Sequence, residues 1–127
     1  MSGPSREGSR YPPSSRIRRS DEIRTLFRRG KRRRTAHLDV FLAVSPVSRP
    51  RIGIVVAKHG HEVTDRNLLK RRLRELGRTR VLPSLWRAGC SLDILLRTRP
   101  EAYAASFGEL AGEIDGVVEE ICSGQPW

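Results

Sequence analysis

Asp65-Arg66-Asn67-Leu68-Leu69-Lys70-Arg71-Arg72-Leu73-Arg74-Glu75-Leu76 is the stretch from which the rest of the chain can be read. On a helix, Leu69, Leu73 and Leu76 share one stripe. Arg66, Asn67, Lys70, Arg71, Arg74 and Arg78 fall opposite them, and Arg72 falls beside Leu68, where its stem can lie on apolar surface with its head in water. Thr64 or Asp65 can cap this helix, which should run to about Gly77. A helix divided in this way docks through its leucines and leaves its cations outside. No acid shares the cationic face, since Glu75 lies off it. Like charges at i, i+4 repel by a few tenths of a kcal/mol each. A phosphate backbone turns that repulsion into attraction, by binding and by counterion release. Asn67 adds a donor and an acceptor for a sugar or base edge.

Working outward, Arg51 to Ala57 alternates as a strand with Ile52, Ile54 and Val56 on one face. Ser45 to Pro50 is a turn region, preceded by a strand over Leu38 to Val44. If Val40 and Leu42 are core, Phe41 points the other way. Lys31-Arg32-Arg33-Arg34 is too charged for a core element. Before it, Ile23, Leu26 and Phe27 make a helical stripe that Ser20 can cap, with Asp21 and Glu22 in the first turn. Gly30 can end that helix in a left-handed conformation. On the other side, Leu92 to Arg97 is a third apolar strand. Pro100 can open a last helix with Tyr103, Phe107, Leu110, Ile114, Val117 and Ile121 buried, and with Gly108, Gly112 and Gly116 on its solvated face. The order helix, strands, helix, strand, helix is an α+β pattern, with helices covering one side of a small sheet and the other side partly open.

The chain has 127 residues, 37% hydrophobic and 31% charged, enough for one domain with its own core. Its formal net charge of +11 calls for an anionic partner. Residues 1–34 carry a net +9, 35–99 a net +8 and 100–127 a net −6, so the last segment should turn away from a polyanion. The basic residues are arginines except Lys31, Lys58 and Lys70, and arginine suits bidentate phosphate contacts and stacking. Residues 1–15, rich in Ser, Pro and Gly, read as a disordered basic tail, 16–122 as the domain, and 123–127 as a C-terminal tail. No apolar run is long enough for a membrane span, and no signal-type segment opens the chain. Two cysteines, Cys90 and Cys122, exclude a disulfide scaffold. A cytoplasmic protein without a membrane partner is expected.

Arg66-Asn67-Leu68-Leu69-Lys70-Arg71-Arg72-Leu73-Arg74-Glu75 resembles the RNR signature of the bacterial ribonuclease P protein family. The preceding Arg51-x-Gly53-x-x-Val56-x-Lys58-x-Gly60 is similar too, as is the upstream helix with Phe27 and Gly30. The similarity covers roughly residues 16 to 121. The resemblance implies a small α-β sandwich, a mixed sheet of about four strands with a left-handed βαβ crossover, of the ribosomal protein S5 domain 2-like type. Chain geometry ordinarily favours the right-handed form. It also implies a short strand near Arg32 to Thr35.

By function, the resemblance implies a monomeric subunit of an endoribonuclease that removes the 5′ leader of precursor tRNA. The RNA subunit would hold the catalytic groups and Mg2+, leaving no catalytic or metal-binding residue in this chain. Lys58, Arg66, Asn67, Lys70, Arg71 and Arg74 would contact the catalytic RNA. Ile23, Arg24, Phe27, Arg28 and Phe41 would line a cleft for the single-stranded leader. Independently of the family, Phe27 and Phe41 beside basic residues suit stacking of unpaired bases, although core packing is an equal use for Phe27. Three features depart from the family: Asp65 stands where an aliphatic residue is common, Ile23 where an aromatic one is, and the last helix is acidic.

Two other readings share the charge. A non-catalytic RNA-binding protein, such as a ribosome-associated component, does not require the spacing of residues 66–71. A DNA-recognition helix normally follows another helix after a short turn, whereas a strand and loop precede residue 65. His59, His61, Glu62 and Asp65 sit together in sequence without the spacing of a catalytic metal site.

Overall fold

The computed structural model describes residues 15–124. Its elements are α1 (Ser20–Arg29), β1 (Lys31–Arg34), β2 (Leu38–Val44), β3 (Arg51–Val55), α2 (Val63–Leu76), a π-helical turn (Gly77–Val81), α3 (Leu82–Ala88), β4 (Leu92–Thr98), a 3-10 turn (Pro100–Ala104) and α4 (Phe107–Cys122). The expected tails lie outside the described residues except for Ser15, Ser123 and Gly124. Ser15 is buried, and Arg16 bridges in parallel to Ile52. Among the described residues, no helix is long and apolar enough to cross a membrane.

The sheet order is β1-β2-β4-β3. β1 and β4 each pair antiparallel with β2, while β3 pairs parallel with β4. Strand alternation sorts the side chains as the sequence suggests. Val40, Ile52, Ile94 and Leu96 enter the main core with Leu69, Leu73 and Leu76 of α2, and with Leu110, Ile114 and Ile121 of α4. Phe41 and Leu95 point to the opposite face, where they meet Ile17 and Leu26. α1 therefore covers part of the second face, and the fold is a sandwich rather than a sheet covered on one side only.

The hand of the crossover follows from one hydrogen bond. Ile52 puts its side chain into the core shared with α2, and its carbonyl accepts from Ile17 N–H at 2.9 Å, on the edge away from β4. For an L-residue seen from its side-chain face with the strand running up, the carbonyl points right. β4 thus lies to the left of β3, and the chain crosses on the viewer's side through α2. The β3-α2-β4 unit is left-handed, against the usual rule and as the family resemblance implies.

Several local expectations change. Ser20 is the first residue of α1 rather than its cap. Gly30 is extended at φ −69°, not left-handed; it is needed because a Cβ there would sit 2.6 Å from the Leu26 carbonyl oxygen. The helix after residue 63 does not stop at Gly77. It passes through the π turn into α3, whose Leu82 and Leu85, with Val81, are buried. The last helix is broken. Tyr103 lies in the 3-10 turn, and α4 restarts at a capping box in which Glu109 N–H donates to Ser106 Oγ and Ser106 N–H donates to Glu109 Oε1. Phe107 is consequently exposed instead of lining the apolar stripe. Gly108, Gly112 and Gly116 do lie on the solvated face.

Candidate RNA interface

α2 is two-sided as its sequence requires. Leu69, Leu73 and Leu76 are buried, while Asn67, Arg71 and Arg74 are exposed and Arg66 and Lys70 half-buried. Among the described residues, no carboxylate pairs with Arg66, Lys70, Arg71 or Arg74. The Arg66 Nε is buried and has no hydrogen-bond partner among the described residues, a group that water, an ion or a ligand ordinarily satisfies. Arg78, expected on the same face, is not available in this way. Beyond Leu76 the chain winds into the π turn, and Arg78 bonds Glu75. That bond lowers the Glu75 pKa and raises that of Arg78. Arg72 reaches toward the Ala105 carbonyl at 3.5 Å, in keeping with an edge position. α2 starts at Val63 with Glu62 at the cap position, so Asp65 belongs to the first turn and is not the cap. Its charge there opposes the positive helix end favourably.

The loop entering α2 is pinned at both ends. Ala57 N–H donates to Thr98 Oγ1 at 3.0 Å, and the Tyr103 hydroxyl donates to the Ala57 carbonyl at 2.5 Å. The Tyr103 ring also stacks on His61, with centroids 3.7 Å apart and planes 7° from parallel. Between these anchors His59 and Gly60 both take positive φ, 44° and 81°, and Lys58 is exposed. Tyr103 was read as a core residue of the last helix; only its long-range contact shows it holding this loop. Of the His59, His61, Glu62 and Asp65 group, the structure brings together His61 and Asp65, 3.6 Å apart. Among the described residues no three His, Cys, Asp or Glu gather as a metal site.

On the opposite sheet face, Phe27 and Phe41 meet edge to face with centroids 5.1 Å apart. Phe41 is only 5% exposed and acts as the wall behind Phe27, which is half-buried along with Ile23. Two further cations complete this cleft. The Arg97 guanidinium lies 5.2 Å from the Phe27 centroid, and that of Arg32 lies 6.0 Å from the Phe41 centroid. Sequence reading missed both. Arg97 shares the face of Leu95 by strand period, but Arg32 reaches Phe41 only through the hairpin register that opposes them. Arg24 and Arg28 are exposed on α1 and line a shallow depression beside Phe27 with Asp21 and Thr25. α1 is held over the sheet by Arg51, which makes bonds of 2.9 and 2.8 Å to the two Asp93 oxygens and one of 3.2 Å to Glu22.

A ribonuclease P family model matches residues 11–122. The chain belongs to the ribonuclease P protein family. It is 37% identical over 114 residues to the ribonuclease P protein component of Acidothermus cellulolyticus, covering 87% of this chain and 90% of the relative. It is 36% identical over 112 residues to that of Syntrophobacter fumaroxidans, covering 86% and 89%. The solved RNase P protein from Thermotoga maritima has the same fold, with a TM-score of 0.69 at 22% identity over 83% of this chain and 96% of that one. So does the Staphylococcus aureus RNase P protein, at 0.69 and 18% over 84% and 94%. The ribosome-associated alternative finds no support among these ribonuclease P matches.

Proposed function

We propose that this chain, as a ribonuclease P protein subunit in tRNA 5′ processing, binds the catalytic RNA through α2 and its approach loop. The observation that carries this reading is the cationic face of Arg66, Lys70, Arg71 and Arg74, left without carboxylate partners among the described residues, on a helix fixed by buried leucines. Phosphates supply the missing counter-charges. Lys58 extends the same track, and Asn67 meets a sugar or base edge. The cleft on the other sheet face takes the single-stranded leader of precursor tRNA: Phe27 offers a stacking surface, Phe41 and Ile23 its walls, and Arg97, Arg24 and Arg28 the backbone contacts. β3 links the two surfaces, since Val55 faces the cleft and Val56 the main core just before Lys58.

Hydrolysis belongs to the RNA partner in this reading. Magnesium bound there would activate water and stabilise the leaving oxygen; this chain supplies affinity, orientation and charge neutralisation. It works as a monomer in the cytoplasmic complex. The test is cleavage of precursor tRNA by the cognate RNA at low magnesium, with and without this chain. Stimulation is expected, because the cationic face replaces part of the counterion atmosphere. Absence of stimulation overturns the reading.

A further inference from the structure

The second flank of α2, away from its cationic face, carries a pocket that the phosphate-binding reading does not use. It lies between the first turns of α2 and the 3-10 turn, has a volume of about 170 Å3, and is lined by His61, Asp65, Leu68, Leu69, Arg72 and Tyr103. Leu69 forms a buried floor and Leu68, 43% exposed, an apolar wall. The His61–Tyr103 stack is a second, flat wall. The polar groups are few: two side chains of opposite charge, and the His61 ring, whose Nδ1 lies 3.6 Å from one Asp65 oxygen and leaves the other open. The Asp65 carboxylate is exposed and only accepts hydrogen bonds; the Arg72 guanidinium only donates them. Arg72 has no carboxylate partner among the described residues, and its contact to the Ala105 carbonyl is long at 3.5 Å.

This chemistry discriminates among ligands. A phosphate or carboxylate is repelled by Asp65, and a cation by Arg72. A flat, neutral group with donors and an acceptor along one edge satisfies both while its faces lie on Leu68 and the aromatic stack. We propose that the pocket receives an unpaired guanine base of the bound RNA. The guanine N1–H and N2–H2 donate as a pair to Asp65, and O6 accepts from Arg72. Adenine offers only its amino donor and no carbonyl, and cytosine presents a single amino group. Uracil has one N–H between two carbonyls, which Asp65 opposes. The position is right for a base splayed from a backbone held nearby. Asp65 adjoins Arg66 in the chain, and His61 N–H donates to the Lys58 carbonyl at 2.8 Å. The pocket thus opens at the start of α2, next to the cations that would hold the backbone. The inference rests on the reading of α2 as an RNA-binding helix and adds base recognition to it.

The experiment measures binding of the full chain to uridine pentamers with a central uridine, guanosine, adenosine or cytidine. The guanosine pentamer is expected to bind about 5- to 10-fold tighter than the other three, at the low end of what a paired base contact discriminates. Asp65→Asn, at an exposed site that leaves the core untouched, should reduce that preference to within about two-fold without weakening the all-uridine pentamer. Arg74→Ala should weaken all four pentamers alike and keep the preference. No preference for guanosine, or a preference that survives in D65N, overturns the pocket while leaving the cationic face standing. Failure of every pentamer to bind overturns the α2 reading, and the pocket with it.

Discussion

Lys31–Arg34 and Arg66–Arg74 look alike in the sequence, both being short and dense in cations, but the fold treats them differently. β1 lies along β2 and across from α4. Arg32 and Arg34 both approach Asp39, at 3.5 and 3.4 Å, and Arg33 approaches Glu120 at 3.2 Å. In α2, Arg66, Lys70, Arg71 and Arg74 find no such partner among the described residues. Elsewhere Arg80 pairs with Asp115, and Arg51 with Asp93 and Glu22. The acidic final segment was expected to turn away from RNA. It also neutralises cations on its own side of the molecule, through Glu120 and Asp115, and ties down His37 through Glu113. Charge density alone thus does not mark an RNA surface. What marks it is charge that the fold leaves uncompensated.

The sharpest break of the paired class is Asp93→Ala. It strands a buried Arg51 whose pKa is raised chiefly by its hydrogen bond to Asp93. Unfolding by urea should show a loss of about 3–5 kcal/mol, as for other buried pairs that lose one partner. The unpaired class should respond in binding instead. Arg66→Ala or Arg74→Ala is expected to weaken affinity for the catalytic RNA by about 1–3 kcal/mol and to reduce the salt slope by about one unit. Arg33→Ala, in the paired cluster, should change that affinity by less than about 0.5 kcal/mol. Equal losses in the two clusters would erase the distinction between them.

Phe27→Ala tests the cleft, with an expected loss of about 1–2 kcal/mol for leader-bearing tRNA and little for mature tRNA, within the range of base stacking on an aromatic ring. Equal loss for both substrates would make Phe27 a packing residue. The smallest effect belongs to Glu113. Burial pushes its carboxyl up, but hydrogen bonds from the Thr35 hydroxyl and from the His37 ring and backbone, with the His37 charge, hold it below the ordinary 4.5. A carboxylate depressed in the folded state stabilises above its unfolded value and loses that contribution as pH falls through the folded one. Stability should therefore decline below about pH 4.5, and Glu113→Gln should flatten that decline in melting curves recorded across the acid range.

Much of the fold was legible because it depends on neighbours in the chain. The leucine stripe of α2, the inward Ile52 and Val40 and the outward Phe41 follow from helix and strand periods, which hold whatever the partner element is. The break before α4 was also legible in principle, since Ser106-Phe107-Gly108-Glu109 is a capping-box pattern. The continuation through Val81, Leu82 and Leu85 was visible as apolar spacing but hidden by Gly77, which reads as a stop. The candidate site was legible to the same extent. Arg66, Asn67, Lys70, Arg71 and Arg74 share an outer face by period alone, whereas Arg78, on the same wheel, was lost to Glu75 once the helix changed its winding.

The sequence by itself determined a two-sided basic helix, the facing of the strands over 38–44 and 51–57, and the family to which the chain belongs. Those properties rest on local periodicity and on a short motif, both independent of how the elements are stacked. The tertiary structure alone decided which arginines are neutralised, that Tyr103 clamps the approach to α2, and that Arg97 and Arg32 join Phe27 and Phe41. Each of these is a contact between residues far apart in the chain. It depends on register and on the left-handed crossover, and a few ångströms of displacement would pair a cation or leave it open.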